Sequence, residues 1–206
     1  MRKNCLIGIV LLLTLLGLSS CPSPGGGGTE TYNIGDTGPA GGLIFYDQGS
    51  TINGWRYMEA APYDQNTGSE IWGPNPPGGS TGALGTAVGT GKANTAAIVS
   101  TFGTGYAASL CQNLSLNGYS DWFLPSTGEL ALVYQNLVAN GLGNFDTASG
   151  IGHGYWSSSK ESTSKQTVWM ISCSGGRGVL AETSRERGKI IVLEPQAVYS
   201  QQNSRR

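Results

Sequence analysis

The sequence predicts an α+β domain on three observations: a capped amphipathic helix near the centre, strand-like runs on both sides of it, and long glycine-rich loops between them. The helix carries the strongest signal. Pro125 keeps the residue before it extended and cannot lie inside a helix. Ser126 and Glu129 then have the spacing of a capping box, each side chain reaching the other's backbone N–H. Leu130, Val133, Tyr134, Leu137 and Val138 repeat at helical spacing along one face. Gly141 suits the left-handed residue that ends a helix, so the spacing predicts a helix over 127–140. Just upstream, Trp122 and Leu124 alternate with Asp121 and Phe123, which predicts an extended, half-buried segment.

The strands flank this core. Residues 42–47 and 55–60 are rich in aromatic and branched side chains, and Asn53-Gly54 between them is a hairpin turn signal. Residues 62–90 form a long loop centred on Pro76-Pro77-Gly78-Gly79, a length that in a compact domain points to function or mobility. Asn94 reads as the cap of a short helix to about residue 101, ended by Gly103. Tyr106, Ala107, Leu110, Cys111 and Leu114 form another helical stripe. A short strand is expected over 155–158 and a stronger one over 167–173, with a turn at 174–178 and a return through Val179. The last strand is expected at 189–193, stopped by Pro195, before a polar tail over 195–206.

The amino terminus reads as an export signal. Arg2 and Lys3 precede an apolar run from residue 6 to 18, too short to span a bilayer comfortably. Leu18-Ser19-Ser20-Cys21 is similar to the lipobox of bacterial lipoproteins, which makes residues 1–20 a signal peptide and Cys21 the lipidated first residue. A multiply acylated cysteine holds a protein firmly to a membrane. Pro22 stands where an aspartate would signal inner-membrane retention, so that likeness implies the cell envelope and its outer membrane. Residues 21–31, with four consecutive glycines, are a flexible tether reaching about 35 Å at full stretch. The remaining body, 32–194, is long enough for one domain with its own core.

Charge is sparse, at 12% of residues, and glycine is abundant at 33. Residues 21–159 hold two bases and nine acids, a net of −7, whereas residues 160–206 hold eight bases and four acids, a net of +4. The basic third, with Arg177, Arg185, Arg187 and Lys189, is a candidate contact for an anionic polymer, although a solvated face explains the same charges. No nucleic-acid partner is expected. Of the four cysteines, Cys111 and Cys173 fall within the domain. They either form a disulfide across about 60 residues, with roughly 4 kcal/mol of chain-entropy stabilisation, or remain two buried thiols.

Four segments together resemble one family. They are residues 34–42 (Ile-Gly-Asp-Thr-Gly-Pro-Ala-Gly-Gly), Gly91-Lys92-Ala93-Asn94-Thr95, Asp121-Trp122-Phe123-Leu124-Pro125 and Tyr155-Trp156-Ser157-Ser158-Ser159. Over about residues 32–159 they resemble the Lcl carboxy-terminal domain family of bacterial surface proteins, similar to the formylglycine-generating-enzyme branch of the C-type-lectin-like fold. Members usually end on a strand with paired arginines, where Lys189-Ile190-Ile191-Val192-Leu193-Glu194 stands here. The resemblance implies an exported domain with small helices around a twisted antiparallel sheet, long loops on one side, and adhesion to sulfated polysaccharide. It does not carry catalysis across, because the copper-binding cysteine pair of the enzymes has no counterpart beside Cys173.

No constellation for catalysis or for a cofactor stands out, so an enzyme is not expected. His153 is the only histidine, in a Gly-His-Gly setting that argues against a zinc site or a triad. Gly89-Thr90-Gly91-Lys92 imitates a phosphate loop, but Thr86 and Ala93 break the pattern. Asp64, Asn66 and Glu70 have loosely calcium-like spacing, which an Asx-rich turn explains equally. Trp55, Trp122, Trp156 and Trp169 lie in strand-like runs and are expected in the core, whereas Trp72, between loop residues, is the candidate exposed aromatic for stacking on a sugar. The expected function is a membrane-anchored, non-catalytic binding module for glycan or another extracellular polymer. The alternative is a structural or protein-interaction lipoprotein of the envelope.

Overall fold

The computed structural model describes residues 30–65, 70–74, 80–148, 153–161, 167–172, 177–182 and 193–196. Among them, two three-stranded antiparallel sheets and three short helices form a mixed α/β architecture compatible with the α+β expectation. The single sheet implied by the resemblance is therefore split in two.

The first sheet begins with a hairpin of β1 (Leu43–Ile52) and β2 (Trp55–Ala60), paired from Leu43↔Ala60 to Ile52↔Trp55. Asn53 and Gly54 connect them at φ 54° and 87°, the left-handed geometry of a type I′ turn. Outside the hairpin, β6 (Leu193–Gln196) pairs with β2 at the sheet edge, Met58 facing Pro195. Proline was expected to stop this strand. It is instead admitted because an edge strand need not donate every N–H to the ladder. Residues 189–192 of the expected strand lie outside the described residues, as does the tail beyond 196.

The second sheet comprises β3 (Gly154–Lys160), β4 (Thr167–Ser172) and β5 (Arg177–Glu182), in that order. Between the sheets in sequence lie α1 (Gly91–Phe102), α2 (Ala107–Gln112) and α3 (Thr127–Asn136), the last continued by a 3₁₀ turn over Val138–Asn140. Gly141 closes that turn at φ 69°, as its composition requires. Leu137 is buried and its N–H reaches Val133 O at 2.9 Å, so the apolar stripe runs past the α-helical part.

Two clusters make the core, and neighbouring residues divide between them. Trp122, Leu124, Trp156 and Met170 pack into one cluster with Trp72, Ile98 and Cys111. Phe123, Tyr155 and Ile171 pack into the other with Phe45, Met58, Leu130 and Val133. The segment at 122–124 is thus extended, but it is buried on both sides rather than one, because each face meets a different cluster. Trp55, expected in the core, is only half-buried, against Tyr46.

Candidate functional site

The motifs that carry the family resemblance turn out to hold the scaffold together. The capping box forms as expected: Glu129 N donates to Ser126 Oγ at 3.3 Å and Ser126 N to Glu129 Oε2 at 2.6 Å. The same carboxylate also accepts from Gly89 N at 2.8 Å and Gly91 N at 3.4 Å through Oε1. One side chain therefore caps α3 and satisfies the start of α1, where the helix dipole favours a negative charge. Gly91 is required by this approach, since a Cβ there would strike the Glu129 carboxylate, with the Phe123 ring at 2.7 Å. Burial holds the Glu129 carboxyl above the ordinary range, opposed by these hydrogen bonds.

Asn94 does not cap α1, which starts three residues earlier. It sits buried inside the helix and pairs with Gly85 in both directions, accepting from its N at 3.2 Å and donating to its O at 2.6 Å. Thr95 fixes the 122–124 segment, its hydroxyl accepting from Leu124 N at 3.0 Å. A second buried carboxylate, Glu59, accepts from Ala40 N at 3.0 Å and Gly42 N at 2.8 Å. The glycine-rich 38–42 turn wraps it so closely that a Cβ at Gly38 would lie 2.6 Å from Oε2. Burial raises its carboxyl too. In β3, Ser158 N donates to Pro125 O at 2.6 Å and Ser159 Oγ to Gly85 O at 2.6 Å, stitching the strand to α3 and the 80–90 segment.

The long loop is correspondingly not a free contact surface where it is described. Trp72 is only 1% exposed, with its Nε1 donating to Ser157 O at 2.8 Å and its ring edge-on to Phe102. The expectation of an exposed Trp72 is corrected: a buried indole needs a hydrogen-bond acceptor, and the Ser157 carbonyl supplies it. Lys160 N to Ala83 O and Gly128 N to Thr86 O, both 2.8 Å, pin the loop's second half. Cys111 is a buried free thiol, so the disulfide alternative is not realised, and Cys173 lies outside the described residues. Arg185, Arg187 and Lys189 lie outside them too, and of Arg177 only the backbone, in β5, is described. Asn66 of the calcium candidate is also outside. Asp64 and Glu70 are described, and no group of three His, Cys, Asp or Glu among the described residues could hold a metal.

Sequence reasoning missed a different grouping. The Tyr155 hydroxyl, at the start of β3, accepts from Asp146 N and donates to Asp64 Oδ1, both at 2.8 Å. It thereby ties the 61–65 segment to the 143–148 segment. Asp146 Oδ2 lies 2.9 Å from His153 Nδ1, and its Oδ1 accepts from Ala148 N at 2.9 Å. Beside this network is an open depression of about 230 Å³, with Leu43, Ala61 and Phe145 among its apolar lining and Tyr63, Asp64 and Asn144 among its polar lining. Phe145 meets Tyr155 edge-on at 6.3 Å, and Gly143 takes φ 81° where a Cβ would meet the Leu43 side chain at 3.1 Å and clash closer still with the Phe145 ring. Tyr63 is 54% exposed at the rim. The one warning in the sequence was the Asn144-Phe145-Asp146 run followed shortly by His153.

The bases of the described body are occupied away from this depression. Arg56 forms a two-point ion pair with Asp47, both contacts 2.8 Å, and Lys92 pairs with Asp121 at 2.8 Å. Lys160 is buried in β3, and burial lowers its ammonium below the ordinary lysine range. No protein-family model matches the chain, and no curated protein matches it. No helix among the described residues is long and apolar enough to cross a membrane.

Proposed function

We propose that this protein is a lipid-anchored lipoprotein of the cell envelope, probable address replaced by one firm expectation, the outer membrane, and that its C-type-lectin-like domain binds glycan or another extracellular polymer without catalysis. The observation that carries the reading is the open depression between the 61–65 and 143–148 segments, with its exposed Tyr63 and its tethered Asp64. Aromatic rims with a few fixed polar groups are how small-ligand sites combine affinity with orientation. The lipobox-like run ending at Cys21 supports the anchor, and the four motif segments support membership of the Lcl carboxy-terminal family. The buried state of Trp72 moves the contact surface from the middle of the long loop to this depression.

Two measurements test the proposal. Cys21→Ser is expected to release the protein from the membrane fraction, and its continued retention there would remove the anchor. The full chain is expected to bind at least one class in a broad polysaccharide panel. No binding to any, together with a stable crosslink to an envelope protein, would favour the structural or protein-interaction alternative.

A further inference from the structure

We propose that the depression beside Tyr155 recognises an uncharged, hydroxyl-rich sugar ring and discriminates against sulfated or carboxylated polymers. The inference rests on the glycan-binding reading above and names the ligand class. Three features carry it. Tyr63, at 54% exposure, offers a flat apolar face at the rim, the surface on which the C–H face of a sugar ring packs. Asp64 lines the same depression with its Oδ1 held at 2.8 Å by the Tyr155 hydroxyl. A carboxylate fixed in this way is a strong acceptor for sugar hydroxyls, because hydrogen bonds to an ionised oxygen are the short, strong ones. Asn144 adds an exposed amide that both donates and accepts.

Charge then decides the class. The Asp64 carboxylate lines the depression, and Asp146 sits one hydrogen bond away through its N–H to Tyr155. The bases between residues 30 and 161 are Arg56, Lys92 and Lys160, and they are respectively paired with Asp47, paired with Asp121, and buried in β3. His153 is the remaining basic side chain, and it faces Asp146 at 2.9 Å, so its protonation neutralises that acid rather than adding net positive charge. An anionic polymer would thus meet fixed negative charge with no compensating cation, whereas a neutral ring meets acceptors it can satisfy. The volume, about 230 Å³, is below the roughly 300–1,000 Å³ of clefts that enclose larger ligands, which fits one ring at a time.

The test is retention of the full chain on immobilised neutral polysaccharides, namely a glucan, a mannan and a galactan, and on heparin and polygalacturonate. Binding to at least one neutral polymer is expected, weakened at least about tenfold by Tyr63→Ala and by Asp64→Asn. The asparagine keeps an oxygen for the Tyr155 hydroxyl, and Tyr63 is exposed, so both variants should melt as wild type and report on binding. Heparin or polygalacturonate bound, with every neutral polymer ignored, would overturn the inference while leaving polymer binding intact. Neutral binding indifferent to both substitutions would overturn the assignment to this depression. Failure of all five polymers would defeat the glycan-binding reading itself.

Discussion

Glu129 is the residue whose replacement tests the scaffold most directly. Its Oε1 serves Gly89 N and Gly91 N at 2.8 and 3.4 Å, and its Oε2 serves Ser126 N at 2.6 Å. Glu129→Gln keeps the shape but leaves one acceptor oxygen. The amide nitrogen must then face Ser126 N–H or the two glycine N–H groups, donor against donor. A lost hydrogen bond to a charged group weighs about 1.5–3 kcal/mol, and removing a buried charge offsets part of it, so we expect a net cost of about 2 kcal/mol. Glu129→Ala orphans all three donors. At about 1–3 kcal/mol for each buried group left unsatisfied, with some relaxation, the cost is about 4 kcal/mol. In a domain of this size each kcal/mol moves Tm by about 2–4 °C, giving drops of about 4–8 °C and about 8–16 °C in calorimetry at neutral pH. A glutamine variant that melts with wild type would refute the double-capping role. The pH dependence supplies a second arm. Burial raises the Glu129 carboxyl, so the folded protein holds that proton more tightly than the unfolded chain. The group's contribution to stability therefore improves as pH falls from its folded value towards the unfolded one, about 4.3. Glu59 acts with the same sign, so the informative quantity is the difference between variant and wild type. The wild type should gain more stability than Glu129→Gln on acidification, and identical pH profiles would refute the assignment.

The tryptophans and the core thiol give two further tests. Trp122 Nε1 is buried with no hydrogen-bond partner among the described residues, whereas the Trp156 indole donates to Glu70 O at 2.8 Å. Trp122→Phe is therefore expected to destabilise by about 1 kcal/mol less than Trp156→Phe in denaturant titration, since only the second strands a carbonyl. Equal costs would mean that the Trp122 indole N–H does have an acceptor. Cys111 is fully buried and its thiol is pushed up by desolvation, so it should resist a thiol reagent in the native protein and react on unfolding. Rapid native labelling at Cys111 would contradict its place in the core.

Local signals were legible where a residue acts on its immediate neighbours. The Ser126–Glu129 box, the Asn53-Gly54 turn and the Gly141 stop all act within four residues, and each stands where the sequence placed it. The start of α1 was misread because Asn94 has the composition of a cap, but its partner, Gly85, is a loop residue nine positions away. Trp72 was misread for the same reason on a larger scale. Its acceptor, the Ser157 carbonyl, is 85 residues distant, and nothing between Gly73 and Pro74 announces it. Loop composition described the backbone correctly and the side chain wrongly.

The candidate site was hidden by a further step. Each of its polar members looks unremarkable alone: Asp64 in an Asx-rich turn, Asp146 after an aromatic, His153 between glycines. They become a group only because Tyr155 is the first side chain of β3 to face the second core cluster, which brings its hydroxyl to the edge where the 61–65 and 143–148 segments meet. The alternation that sends Trp156 to the opposite cluster fixes that direction. A register slip of one residue in β3 would turn Tyr155 away and leave both segments untied. The serines that follow, bonded to Pro125 and Gly85, hold the register against such a slip. The family-like Tyr-Trp-Ser-Ser-Ser motif is thus scaffold at its serines and site at its tyrosine, and a motif match alone does not distinguish the two roles.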